Sequence, residues 1–219
     1  MPRHPDKLVT VLGSAYFQPI ADLIERLIQR KRARPTRVQS THHESGYAAA
    51  GVLLLVAMFE SYVSRVRFTQ PKLVADGTRS AVYVVLSVFP KLRHRKALEE
   101  VYVLRDLLMH SHLWEIEYEE GGPVPMVLKS AKLHRAYGDE KFRKRVNSTT
   151  HRTKALSLSA FPTRVDRRDL LKVFQTLWKT LLRFEAQDRF QCSVSHMHVR
   201  FKGTAVLFGD LQGELKRAL

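Results

Sequence analysis

The sequence predicts a mainly α-helical bundle with a small β-hairpin and short strands appended. Three stretches repeat apolar residues at the spacing of one helical face, and residues 47–59 form a continuous apolar run without a charge. The alternation typical of β-strands is confined to a segment from Trp114 onward and to the C-terminal region. Of the 219 residues, 44% are hydrophobic, which is enough to bury a sizeable core.

The first predicted helix covers residues 19–32 and runs into a basic arm. Its apolar side chains share one face: Ile20, Leu23, Ile24, Leu27 and Ile28. In the arm, residues 30–37, five of eight residues are lysine or arginine, and Pro35 ends the helix. We expect the arm to be exposed, either as a phosphate-binding or targeting segment or as a solvated linker. Its candidate nucleic-acid contacts are Arg30, Lys31, Arg32 and Arg34. We expect residues 1–40 to pack on a bundle of residues 41–219.

The long apolar helix is predicted to begin at a capping box, in which Thr41 and Glu44 each bind a free backbone N–H. Its uncharged run is shorter than the roughly 20 residues that a membrane span needs, and it stops at Glu60. We therefore expect a buried central helix and no membrane association. Glu60 is expected either to pair with a cation or to lie on the surface past the last buried turn.

Three further elements follow this helix. Residues 79–90 fit a helix or a strand, because β-branched residues are frequent there, and Pro90 ends the element. Residues 91–113 show a helical stripe, formed by Leu98, Val101, Leu104, Leu107 and Leu108. The stretches WEIEYEE and MVLKSAKLH, joined by GGPVP, predict a β-hairpin over about residues 114–134.

The remaining chain combines a basic segment, a helix and a tail. Residues 129–154 hold nine lysines and arginines against two acids and lack a clear apolar period, which predicts a basic loop over a phosphate backbone or an ordinary solvated insertion. The candidate contacts there are Lys141, Arg143, Lys144 and Arg145. A final long helix is expected after a cap at Thr163 or Asp166, and the tail is expected to form a short strand pair with glycine turns.

Composition narrows the class of partner. The formal net charge of +16 favours polyanions, with nucleic acid before membrane surfaces, although solvated basic residues alone produce such a balance in some proteins. The single cysteine, Cys192, excludes an intramolecular disulfide and a CxxC zinc site, and no signal-peptide pattern opens the chain, so we expect a cytoplasmic protein. His196 and His198 lack the further ligands of a recognisable metal site.

The helix over residues 91–113 ends in polar residues that suit phosphodiester chemistry. Asp106 and His110 are four residues apart and share a face, so the carboxylate can fix the tautomer of the imidazole. Arg105 and His112, seven residues apart, share another face. Both faces border the leucine stripe, which predicts that these groups line a groove and not the core.

The stretch Arg105-Asp106-Leu-Leu-Met-His110, with His112 as a second histidine, resembles the signature of the HEPN superfamily (higher eukaryotes and prokaryotes nucleotide-binding). That signature is an arginine, a polar residue and a histidine after four to six intervening residues, on a late helix of an α-bundle. The resemblance covers about residues 41–120, and the final helix is compatible with it. It therefore extends the expected fold class to a HEPN-like helical bundle.

The resemblance implies a metal-independent endoribonuclease that needs no cofactor. A histidine, His110 or His112, would act as base on the ribose 2′-OH, and Arg105 would stabilise charge on the phosphate, giving a 2′,3′-cyclic phosphate end. It also implies a homodimer with facing motif helices, and a toxin or defence role in which an antitoxin or nucleotidyltransferase partner is possible. We expect Glu60 near Arg105. The alternative is a non-catalytic HEPN module that binds nucleic acid or protein.

Overall fold

The computed structural model describes residues 12–32, 40–73, 80–109, 115–117, 127–129, 140–187, 190 and 192–219. Over these residues the helices are α1 Phe17–Ile28, α2 His42–Thr69, α3 Ala81–Val88, α4 Arg95–Met109, α5 Glu140–Arg145, α6 Arg167–Glu185 and α7 Leu211–Arg217. Antiparallel strand pairs join β1 Glu115–Glu117 to β2 Val127–Lys129, β3 Val146–Asn147 to β4 Arg152–Thr153, and β5 His198–Phe201 to β6 Thr204–Leu207. The predicted mainly α-helical fold with small appended strands is confirmed.

The central element of the bundle is α2, which packs against α1, α3, α4 and α6. Leu55, Met58 and Phe59 are fully buried along it. A Cβ atom at Gly51 would lie 2.9 Å from Leu170 Cδ1, so the glycine permits the close approach of α2 and α6. By length and composition alone, α2 is the one described helix that could cross a membrane, and half of its most apolar window is buried in the bundle.

A buried ion pair replaces half of the capping box predicted at the start of α2. Thr41 Oγ1 accepts a hydrogen bond from the backbone N–H of Glu44 at 3.2 Å, as expected. The Glu44 carboxylate does not complete the box but binds Arg167, at 2.5 Å from Nη2 and 2.9 Å from Nε. Glu44 also accepts from the backbone N–H of Arg167, so the start of α2 is joined directly to the start of α6.

The same guanidinium group ties two further chain segments to this pair. Arg167 Nη2 donates to the carbonyl oxygens of Leu27 and Arg30, and Nη1 donates to that of Ala218. The end of α1 and the end of α7 therefore meet at one buried side chain. The sequence expectation that the first helix continues to residue 32 is wrong: α1 ends at Ile28, and beyond it the chain turns so that Arg30 offers its carbonyl to Arg167.

The start of α6 decides between the two predicted caps. Asp166 is the cap, because its Oδ1 accepts from the backbone N–H groups of Arg168 and Asp169, while Asp169 Oδ2 accepts from the N–H of Asp166. Arg32 Nη2 lies 2.5 Å from Asp166 Oδ2 and its side chain is 20% exposed. The predicted exposed arm is therefore corrected at Arg32, which is bound to the bundle.

Other predictions differ in their outcome. Residues 81–88 are helical, which resolves the choice between helix and strand for that segment. The next helix was expected from residue 91, but α4 begins at Arg95, because hydrogen-bonded turns occupy the residues after Pro90. The predicted hairpin is confirmed by β1 and β2, which pair Ile116 with Leu128. The predicted loop over residues 129–154 is wrong from residue 140 onward: α5 and the β3–β4 pair occupy it, and Val146 is buried with Val103 and Leu107 of α4.

The tail contains the expected strand pair, β5 and β6, and also a helix that was not predicted. Gly203 has φ +80° in the turn between the strands, a conformation that favours glycine. The chain then enters α7, which buries Leu211 and Leu215 in the core. Gly203 thus lies in a turn as expected, whereas Gly209 lies in a single 3-10 turn just before α7 and Gly213 lies within α7.

Substitution of Arg167 tests the importance of the buried pair. Arg167→Met leaves the Glu44 carboxylate buried without a partner, so we expect the free energy of unfolding to fall by about 3–5 kcal/mol in urea denaturation. The neighbouring residue Arg168 is exposed and provides the control: Arg168→Met should change the free energy of unfolding by less than about 0.5 kcal/mol. Equal effects of the two substitutions would contradict the role assigned to Arg167.

Candidate active site

Arg105 lies near the end of α4 and is held by a carboxylate from α2. Its Nη2 donates to Glu60 Oε1 at 2.8 Å, which confirms the expectation that these two residues are close. Glu60 is the first charged residue after the continuous apolar run of α2, and the ion pair satisfies its carboxylate, whose side chain is 37% exposed. The alternative of an unpaired surface glutamate is therefore excluded.

A second carboxylate completes the support of the arginine. Arg105 Nη1 donates to Asp106 Oδ1 at 2.8 Å, so both terminal nitrogens of the guanidinium are engaged. The side chains of Arg105 and Asp106 are 30% and 33% exposed, which leaves the group accessible from solvent. The predicted pairing of Asp106 with His110 cannot be compared with this arrangement, since His110 and His112 lie outside the described residues.

The ring of Tyr102, about one helical turn before Arg105, lies next to the Arg105 guanidinium. The carbon of the Arg105 guanidinium lies 5.4 Å from the centre of the Tyr102 ring, a distance at which a cation is attracted to the aromatic face. Burial, followed by the negative charge of Glu60, raises the pKa of the Tyr102 phenol well above its usual range. Burial alone would lower the pKa of Arg105, but its hydrogen bond to Glu60 and the charge of Glu60 leave it raised. Both side chains therefore keep their protons.

A groove of about 240 Å³ opens beside Arg105. It is lined by Glu60, Val63, Ser64 and Arg67 of α2, by Ala81 and Val84 of α3, and by Arg105 itself. Arg67 is exposed and makes no ion pair or side-chain hydrogen bond with any residue in the described ranges. Glu60 and Asp106 balance the charge of Arg105, so the groove offers an anionic group such as a phosphate the charge of Arg67 and the remaining N–H donors of Arg105.

Ser64 and Arg67 were not identified from the sequence. They follow Glu60 by four and seven residues and therefore share its face of the helix. That spacing is the signal that would have found them once Glu60 was chosen. It was obscured because Arg67 belongs to a short charged stretch near the end of α2, where exposed side chains are ordinary.

The predicted nucleic-acid contacts of the N-terminal arm separate into two groups. Arg30 and Lys31 are exposed, whereas Arg32 is held by Asp166. Arg34 lies outside the described residues. The structure therefore leaves only the beginning of this arm as a described cationic surface.

The predicted contacts near α5 also differ from one another. Arg143 and Lys144 are exposed, Arg145 forms an ion pair with Glu99 of α4, and Lys141 belongs to α5. A groove of about 510 Å³ between α5 and the β3–β4 turn contains Arg143 and Lys154. These residues form a basic surface that is separate from the Arg105 groove.

Within the described part of the chain, no group of three or more His, Cys, Asp or Glu side chains is placed to hold a metal ion. His196 and His198 flank Met197 at the start of β5, and both are exposed.

Comparisons of the chain with protein-family models, with curated proteins and with solved structures find no match. The HEPN resemblance accordingly stays a prediction that depends on Arg105, Asp106 and the two histidines that follow.

The pairing of Glu60 with Arg105 can be measured by a double-mutant cycle in urea denaturation. Because both side chains are about one-third exposed, we expect Glu60→Gln and Arg105→Gln to show a coupling energy of about 0.5–1 kcal/mol. The cycle of Glu60→Gln with Arg67→Gln is the control and should be additive, since Arg67 lines the same groove without pairing. Additive effects at Glu60 and Arg105 would contradict the ion pair.

Proposed function

We propose that this protein is a metal-independent endoribonuclease of HEPN type, with Arg105 as the phosphate-stabilising group. The observation that carries the proposal is the fixed position of Arg105, held by Glu60 and Asp106 at the edge of an accessible groove and followed five residues later by His110. A positioned cation and a nearby base are the two groups that cleavage by the ribose 2′-OH requires.

The two carboxylates orient Arg105 without using all of its donors. A guanidinium carries five N–H groups, and the bonds to Glu60 and Asp106 occupy two of them, which leaves three for phosphate oxygens. Preorganised donors stabilise developing charge better than mobile ones, because they need no reorganisation during the reaction. Arg67, on the same groove, is placed to hold a neighbouring phosphate.

His110 is the proposed general base, and His112 is the alternative. The base removes the proton of the 2′-OH, whose oxygen then attacks the adjacent phosphorus, and the 5′-oxygen leaves. The products carry a 2′,3′-cyclic phosphate and a 5′-OH. The protein would act as a homodimer in which two α4 helices face each other. Met109, the last residue of α4, is 58% exposed and offers apolar surface for that contact.

A non-catalytic binding module is the second candidate, and one observation favours it. Arg105 already has a carboxylate on each terminal nitrogen, an arrangement that serves equally well as a structural link between α2 and α4. In that case the exposed cations would bind RNA without cleaving it. The two candidates differ in what happens when a histidine is removed.

Cleavage assays with single substitutions separate the candidates. His110→Ala should lower the cleavage rate by about 10²- to 10⁴-fold and leave RNA affinity nearly unchanged, because a base acts on the reaction and not on binding. Arg105→Ala should lower the rate by about 10²- to 10³-fold and also weaken binding. His112→Ala tests the alternative base, and activity should persist in EDTA.

His196→Ala and Arg168→Ala are matched controls, since both residues are exposed and lie outside the groove. Both variants should cleave like the wild type. If the wild type leaves every RNA intact, or if both His110→Ala and His112→Ala stay fully active, the nuclease proposal is wrong and the binding module takes its place.

A further inference from the structure

We propose that a second pocket, which α3 separates from the Arg105 groove, is a subsite for single-stranded RNA in which one base stacks on Tyr83. This inference rests on the proposed function, because it assigns the pocket to the same RNA strand. The pocket has a volume of about 450 Å³ and lies between α3, α4 and α5. That volume is within the usual range of small-molecule sites.

Tyr83 supplies the aromatic surface of the pocket. Its side chain is 52% exposed, and its ring contacts neither an aromatic ring nor a cation of the described residues. Val82 and Leu86 lie beside it in the pocket wall and provide apolar contacts. An accessible aromatic ring on such a wall is the feature on which nucleobases stack, whatever their sequence.

Cations from two helices line the same pocket as this ring. Arg95 of α4 and Lys144 and Arg145 of α5 line the pocket together with one carboxylate, Glu99. Glu99 forms ion pairs with both arginines, through Nε of Arg95 at 2.9 Å and through Nη2 of Arg145. Among the residues that line the pocket, cations therefore outnumber carboxylates by three to one.

Arg95 is the side chain best placed to take a phosphate. It is 58% exposed and pairs through Nε alone, so neither of its Nη atoms is engaged by a residue that the structure describes. Glu99 thereby orients the guanidinium while leaving its outer edge for an anion. Lys144, also exposed, adds a second charge at the same pocket.

The shared wall connects this pocket to the proposed active site. Ala81 and Val84 of α3 line the Arg105 groove, whereas Val82, Tyr83 and Leu86 line the second pocket. A helix with its side chains is about 10 Å across, so a strand of a few nucleotides can reach both sides of α3. An aromatic face combined with excess positive charge favours a nucleotide strand over an acidic peptide, which has no flat base to stack.

Fluorescence anisotropy with a short labelled 2′-O-methyl oligouridylate tests the subsite without cleavage, because this probe lacks the attacking hydroxyl. Tyr83→Ala should weaken binding by roughly 5- to 100-fold, and Tyr83→Leu should do the same, since it keeps apolar bulk but cannot stack. Tyr83→Phe keeps the ring and should bind within about twofold of the wild type. Tyr83 is exposed, so equal unfolding midpoints are expected for all three variants.

Salt dependence tests the charged part of the pocket. Arg95→Ala and Lys144→Ala should each reduce the slope of log K against log salt by roughly 0.7, the value for one phosphate contact on a single strand. Lys216→Ala, an exposed cation on α7, is the matched control and should leave the slope unchanged. A pre-formed RNA duplex should bind the Tyr83 variants and the wild type equally.

Two results would overturn the subsite: binding by Tyr83→Ala equal to that of the wild type, or displacement of the RNA by polyglutamate that is independent of Tyr83. The second would identify the pocket as a site for acidic peptides. The nuclease proposal fails separately. If Tyr83→Ala binds weakly but the wild type cleaves no RNA, the subsite stands and the nuclease proposal is lost. If Tyr83→Ala binds like the wild type and cleavage depends on Arg105, the nuclease proposal stands and the subsite is lost.

Discussion

The buried pair of Glu44 and Arg167 is the interaction on which the rest of the structure depends. Two charges removed from water are tolerated only where nearly every donor and acceptor has a partner, and here the guanidinium meets the carboxylate and three carbonyl oxygens. The first turn of α2, the first turn of α6 and the ends of α1 and α7 therefore have one mutual arrangement. Glu60 lies sixteen residues further along α2, or about 24 Å, so its position beside Arg105 depends on how α2 is anchored.

Local patterns in the sequence predicted most of the helices, because apolar spacing reports directly on the face that a helix buries. The same patterns could not identify Arg167, which follows a helix cap in the sequence and there has the appearance of an exposed residue. Its partner Glu44 was assigned to a capping box for the same local reason. The pair and the three carbonyl contacts of Arg167 form only when four separate segments come together in the fold. No residue spacing within one segment predicts such contacts.

The candidate site was predicted in part. Glu60 and Arg105 were expected to meet because a carboxylate that follows a long apolar run needs a cation, and their ion pair confirms that the two are close, although α2 continues beyond Glu60 to Thr69. Arg67 and Tyr83 were missed, since their importance comes from the grooves that α3 forms with its neighbours. The short helix α5 was also not predicted. The many basic residues around it gave no sign that Val146, the residue directly after α5, is buried.

The count of 37 lysines and arginines overstates the cationic surface that is open to RNA, because Arg32, Arg105, Arg145 and Arg167 all form ion pairs within the fold. What remains near the proposed site is a small set of exposed cations beside Arg105, and this makes the chemistry specific enough to test. The most direct measurement uses a single-stranded RNA and the same strand with one 2′-deoxy nucleotide at the cleaved position. We predict equal affinity for both strands, no cleavage at the deoxy position, and 2′,3′-cyclic phosphate ends on the RNA fragments. Cleavage of the two strands at the same rate would contradict attack by the 2′-OH and with it the central claim.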